Sequence, residues 1–204
     1  MAIEPLTPER RRQLTRDHLL QAAAQVFAAH GFHGASLDEV AAVAGFTKGA
    51  VYSNFKNKED LFLALLESHY QREMAAVRAT LDASEGGPDA HLSDFVTLIR
   101  DQSRSIGDDW TMLYEEFFLY AMRNPPAREK LAAFYNLDVD SVTEIIVGER
   151  AKHGIENREP VEHVARIVVA LMRGLSIMRA IDADAVDDES FLESVMAFLA
   201  RAMT

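Results

Sequence analysis

The sequence predicts an all-α protein of about nine helices, and three observations carry that prediction. Apolar residues return at three- and four-residue intervals from Leu19 to Leu199, the spacing of one helix face. No stretch alternates apolar and polar residues as a half-buried strand would. Capping residues precede the periodic stretches, and Gly or Pro follows them. The helices divide into an N-terminal three-helix domain over residues 1–57 and a C-terminal helical bundle over 58–204, with no internal repeat or low-complexity tract.

Thr7 caps the first helix and Pro8 takes its first position, where a missing N–H costs nothing. The apolar stripe Leu19, Leu20, Ala22, Ala23, Val26 and Phe27 runs to His30 and Gly31, and Arg10, Arg11 and Arg12 stand at the start within reach of phosphates. Ser36 with Glu39 three residues on is a capping box, so a second helix begins there. It buries Leu37, Val40, Ala41 and Ala44 and stops at Gly45, a residue free to take positive φ. Thr47 caps a third, short helix. Two short helices across a tight Gly turn read as a helix-turn-helix, a spacing shared with an ordinary αα-corner. With Val51 and Phe55 turned inward, Lys48, Gly49, Tyr52 and Ser53 face outward at the end that would meet DNA.

Asn57 caps a long fourth helix through Leu61, Phe62, Leu65, Leu66, Tyr70, Val77 and Leu81, broken at Ser84–Pro88. Lys58, in its first turn, is placed to meet phosphate. Further helices are expected over Leu92–Ile99, from Trp110 to Ala121, from Leu131 to His153, from Pro160 through Met178, and over Phe191–Leu199. Asn124-Pro125-Pro126, Gly154 and the acidic stretch from Asp182 to Glu189 separate the later ones.

Composition narrows the function. A chain of 204 residues with 49% hydrophobic and 26% charged residues is globular. Without cysteine there is no disulfide, thiolate nucleophile or Cys-based metal site. The N-terminal stretch lacks the apolar block of a secretion signal, and the longest apolar run, near Ile167 to Met172, is far too short to span a bilayer. A cytoplasmic protein is expected. The net charge of −11 is unevenly placed: residues 1–60 hold seven basic and seven acidic side chains, so the whole excess falls beyond residue 60. Only the first part can approach phosphates without strong repulsion.

Enzymatic signatures are missing. The seven histidines form no HExxH-type spacing, and no P-loop, nucleophile elbow or dinucleotide-binding glycine fingerprint occurs, so no cofactor, metal or catalytic residue is expected. Glu115 and Glu116 are adjacent in a helix and point about 100° apart, too far for a facing acid–base pair. One of them can look inward toward a cationic or hydroxyl-bearing ligand. The aromatic helices around Trp110, Tyr114, Phe117 and Phe134 suit either a plain core or an adaptable apolar cavity.

Dimerisation follows from the size of the reading helix. Three or four side chains at base edges, each worth about 1–3 kcal/mol, discriminate poorly among genomic sites, and a two-fold pair doubles the site. The last two helices supply an apolar interface through Val164, Ile167, Leu171, Gly174, Leu175, Met178, Phe191, Val195 and Phe198.

Gly34, Ser36, Leu37, Val40, Ala41, Ala44, Gly45, Phe46, Thr47, Gly49, Val51, Tyr52, Phe55, Lys58 and Leu61 stand at the positions of a known signature. With Ala22, Ala23, Phe27 and Gly31 upstream, residues 10–66 resemble the DNA-binding region of the TetR family of bacterial transcriptional regulators. Family members often carry His where this chain has Asn54; both can donate to phosphate. The resemblance implies a homodimeric, ligand-responsive regulator, a repressor in the usual case, on a palindromic operator. Carried over by position, Lys48, Gly49, Tyr52 and Ser53 meet the major groove, and Ser36, Thr47, Asn54 and Lys58 hold phosphates. It also implies a small effector within the later helices; the residues themselves offer Trp110, Tyr114, Phe117 and Phe134 as apolar contacts and Glu116 and Arg173 as polar ones. Two other readings stay open: control by a protein partner, and a helical enzyme built on Glu115 or Glu116.

Overall fold

The computed structural model describes residues 7–85, 87, 93–94, 97, 108–154 and 160–182. Among these the chain forms seven α-helices and no strand. They are α1 (Pro8–Gly34), α2 (Leu37–Ala44), α3 (Lys48–Asn54), α4 (Lys58–Ala83), α5 (Asp108–Arg123), α6 (Pro125–Lys152) and α7 (Val161–Ile181). Of the helix expected over Leu92–Ile99 only residues 93–94 and 97 are described, all of them helical, and the helix expected over Phe191–Leu199 lies outside the described residues.

Local chemistry sets the boundaries. The Thr7 side chain accepts from the Arg10 amide at 3.2 Å, with Pro8 opening α1. Ser36 accepts from the Glu39 amide at 3.2 Å, Thr47 from the Ala50 amide at 3.2 Å, and Asn57 Oδ1 from the Asp60 amide at 2.8 Å. Each of these caps satisfies one of the orphan donors of a first turn and stabilises it by about 1 kcal/mol. The capping box is only half closed, because the Glu39 carboxylate pairs with His30 Nε2 at 2.8 Å. Gly45 ends α2 at φ 70°, a left-handed conformation that an L side chain adopts only with strain. The break falls where it was expected, at Gly31 (φ 67°, ψ 176°), but α1 then resumes for one further turn.

The chain condenses into two compact units. The first comprises Met1–His69 and Met112–Lys130; the second comprises Tyr70–Thr111 and Leu131–Thr204. In the first unit α1, α2 and α3 pack on one another, and Leu19, Ala23, Val26, Phe27, Val40, Ala41, Val51 and Phe55 are buried. Beneath them lies an aromatic cluster drawn from α1, α4 and α5. Phe62 packs edge-on to Phe27 at 5.0 Å and to Phe32 at 5.1 Å, and stacks on Phe117 at 4.9 Å. Burying such side chains contributes roughly 1.5–3 kcal/mol each, with about 0.5–1.5 kcal/mol more for each well-placed ring pair.

The second unit has its own core. Val139, Ala165 and Val169 are buried together against Tyr135, Val142 and Ile146. Tyr70 packs edge-on to Phe134 at 5.8 Å and donates its hydroxyl to the Asp138 carbonyl at 3.1 Å. No helix among the described residues is long and apolar enough to cross a membrane.

Candidate nucleic-acid interface

Helix α3 presents one face to solvent and spends the other on the core. Val51 is fully buried, and Phe55, just past the helix end, is 3% exposed. Thr47, Lys48, Gly49, Tyr52 and Ser53 are exposed, Tyr52 at 57%. Tyr52 thus offers its ring to solvent on a capped, well-packed helix. The structure therefore brings the four expected groove-facing residues onto one free surface, while Ser36 lies exposed at the start of α2.

The electrostatics of that surface are mild. Lys48 pairs with Asp38 across the turn, both side chains being mostly exposed. Such a pair is worth about 0–1 kcal/mol, so passing Lys48 from Asp38 to a phosphate costs little. Ser53 Oγ donates to the Ala50 carbonyl at 2.9 Å, and Asn54 Nδ2 donates to the same oxygen at 2.8 Å. Asn54 is half-buried and donates locally through its amide, and the Thr47 hydroxyl accepts in its cap while keeping its own hydrogen to donate.

Lys58, the expected phosphate contact in the first turn of α4, is half-buried. Its Nζ donates to the carbonyls of His33 and Ala35, both at 3.0 Å, and lies 5.0 Å over the Phe32 ring. Burial pushes its ammonium below the ordinary lysine range. Arg16, which the sequence did not single out, and Arg12, expected to reach phosphates, hold the other end of α3. Arg16 lies 4.5 Å over the Phe55 ring and makes a long hydrogen bond to the Asn54 carbonyl at 3.4 Å, and Arg12 reaches the Ser53 carbonyl at 3.5 Å. Cations at the last carbonyls of a helix favour its dipole and fix its axis. The signal was available: Arg12 and Arg16 are four apart, on one face of α1.

The residues expected to contact an effector divide between the units. Trp110, Phe134 and Arg173 belong to the second, Tyr114, Glu116 and Phe117 to the first. Phe117 is fully buried in the aromatic cluster, and Glu116 accepts a hydrogen bond from the Phe32 amide at 2.6 Å. In the second unit Arg173 lies 5.5 Å over the Tyr135 ring. Nearby in charge is Asp138: burial raises its carboxyl above the usual range, and Arg173 opposes that rise. Of the expected dimer residues, Val164 is buried within the chain and Leu175 half-buried. Ile167, Leu171, Gly174 and Met178 are exposed along α7 at helical spacing, while Phe191, Val195 and Phe198 lie outside the described residues.

A short capped helix, backed by a buried Val and Phe and offering Lys, Gly, Tyr and Ser outward, has the geometry of a helix-turn-helix. Comparison with known proteins places it more closely. Residues 19–65 match the family described as bacterial regulatory proteins, tetR family. Through residues 19–65 the chain carries the DNA-binding domain of the TetR family of bacterial transcriptional regulators. It is 40% identical over 70 residues to the HTH-type transcriptional activator FasR of Mycolicibacterium smegmatis, a match covering 34% of this chain and 32% of that one. The similarity thus spans about a third of FasR's length. The uncharacterized HTH-type transcriptional regulator YdgC of Bacillus subtilis is 26% identical over 188 residues, covering 79% of this chain and 92% of its own. In fold, the chain is similar to Salmonella enterica GusR, with a TM-score of 0.71 at 23% identity over 98% of this chain and 99% of that one.

Proposed function

We propose that the protein is a homodimeric, effector-released regulator, a repressor, which acts in the cytoplasm on a palindromic operator. The observation that carries this reading is the exposed face of α3, where Tyr52 stands between Lys48, Gly49 and Ser53 on a helix fixed from behind by Val51 and Phe55. Lys48, Gly49, Tyr52 and Ser53 read base edges in the major groove, while Ser36, Thr47, Asn54 and Lys58 lie along the phosphates. The exposed stripe Ile167, Leu171, Gly174 and Met178 of α7 supplies the two-fold contact, Gly174 letting the partner helix approach closely.

The effector is small and partly apolar, and its contacts are Trp110, Phe134 and Arg173 in the second unit. To weaken operator occupancy a hundredfold it must favour the non-binding form by about 2.7 kcal/mol. Selection from a random duplex pool tests the reading. An inverted repeat is expected, with half-sites centred about one helical turn or a multiple of it apart. Recovery of sequences with no common element would overturn it.

A further inference from the structure

The kink in α1 leaves a single helical turn, from Phe32 to Ala35, cut off from the helix before it by Gly31. One turn does not hold itself, because its first amides and last carbonyls lack intrahelical partners and nucleation is unfavourable. Here both ends are met by charged side chains from distant parts of the chain. Glu116 of α5 accepts from the Phe32 amide at 2.6 Å, and Lys58 of α4 donates to the carbonyls of His33 and Ala35. The anion sits at the amide end and the cation at the carbonyl end, the order that the dipole of the turn favours. The fit is close: a Cβ on Gly31 would lie 2.7 Å from each carboxylate oxygen of Glu116. One turn beyond Glu116, Tyr120 brings its ring to 5.1 Å from that of Phe32 and donates its hydroxyl to Glu59.

What hangs from this turn is the reader. Ala35 is buried, Ser36 follows as the cap of α2, and α2 leads through Gly45 and Thr47 to α3. We infer that Glu116 is a positioning residue for DNA binding: it fixes the turn Phe32–Ala35, and so the setting of α2 and α3, from a helix that otherwise takes no part in the DNA surface. The inference rests on the regulator reading and adds the element through which the reader is held.

The test uses the full-length protein and the duplex that the wild type selects from random DNA. Glu116→Ala is expected to weaken binding to that duplex at least tenfold and to speed amide exchange at Phe32 and across Lys48–Asn54. Exchange at Leu19–Phe27 stays at the wild-type rate. Glu116→Gln keeps an acceptor oxygen and is expected to recover most of the affinity and the protection at Phe32. Faster exchange at Phe32 with wild-type affinity in Glu116→Ala would overturn the proposal, and so would a Gln variant as weak as Ala. Should the Ala variant fail to fold, Glu116→Asp carries the test by shortening the reach: weaker binding at an unchanged melting temperature is expected, and unchanged binding overturns it. A wild type that selects no sequence refutes the regulator reading itself; a selected operator that Glu116→Ala still binds refutes this inference alone.

Discussion

Replacing Phe117 with Ala separates a residue of the DNA-binding unit from a residue of an effector cavity. Phe117 is fully buried, stacks on Phe62 at 4.9 Å and meets Phe32 edge-on at 5.1 Å. Removing a buried phenyl ring costs about 3–5 kcal/mol from lost transfer energy and the cavity left behind. Total stability of a domain is about 5–15 kcal/mol, so the loss is a large share of it. Since about 1.4 kcal/mol is a tenfold change, the opening equilibrium of the first unit rises roughly a hundredfold or more. Amide exchange along Leu19–Phe27 in α1, read with urea unfolding, measures this directly. Faster exchange there and a lower urea midpoint are expected, together with weaker operator binding. If Phe117→Ala leaves α1 protection and the midpoint unchanged, α5 does not belong to the core beneath the reader and the reasoning fails.

Three further outcomes follow from individual contacts. Lys58→Met keeps the apolar stem and removes two donations to carbonyls, so it should lower stability by about 1–3 kcal/mol in denaturant titration, and a loss below about 0.5 kcal/mol would contradict the capping role. Gly45→Ala places a Cβ in open space, so its cost, about 1 kcal/mol in melting experiments, comes from the φ of 70° alone. Asp138 has its folded carboxyl raised above the ordinary 3.8 by burial. The folded state therefore holds the proton more tightly, and this contribution to stability is complete below the unfolded value and lost as pH rises through the folded one. Asp138→Asn should remove that decline from a pH series and melt higher than wild type at pH 7; an unaltered pH profile would speak against it.

Much of the fold was legible because its signals are local. Thr7, Ser36, Thr47 and Asn57 act at fixed offsets from the amides they cap, and Gly45 needs only its own backbone to end a helix. The outward face of α3 was legible for the same reason, since a seven-residue helix with Val51 inside has few ways to turn. Long-range pairings were not. Glu116 and Phe32 are 84 residues apart, and Lys58 and His33 are 25 apart, so no periodicity announces either contact. The aromatic run around Phe117 has the same spacing whether it faces a ligand or Phe62, and only the packing decides. Gly31 was visible as a helix end, but the turn resumed after it depends on a carboxylate supplied from α5.

The central claim, that the exposed face of α3 reads DNA sequence, meets its most direct test in Tyr52→Ala. Affinity is measured for the wild type and the variant, once on the selected duplex and once on an unrelated one, at the same salt concentration. The account predicts at least a tenfold loss on the selected duplex, unchanged affinity for the unrelated one, and an unchanged melting temperature, since Tyr52 is exposed. Equal affinity of the two proteins for the selected duplex would contradict it.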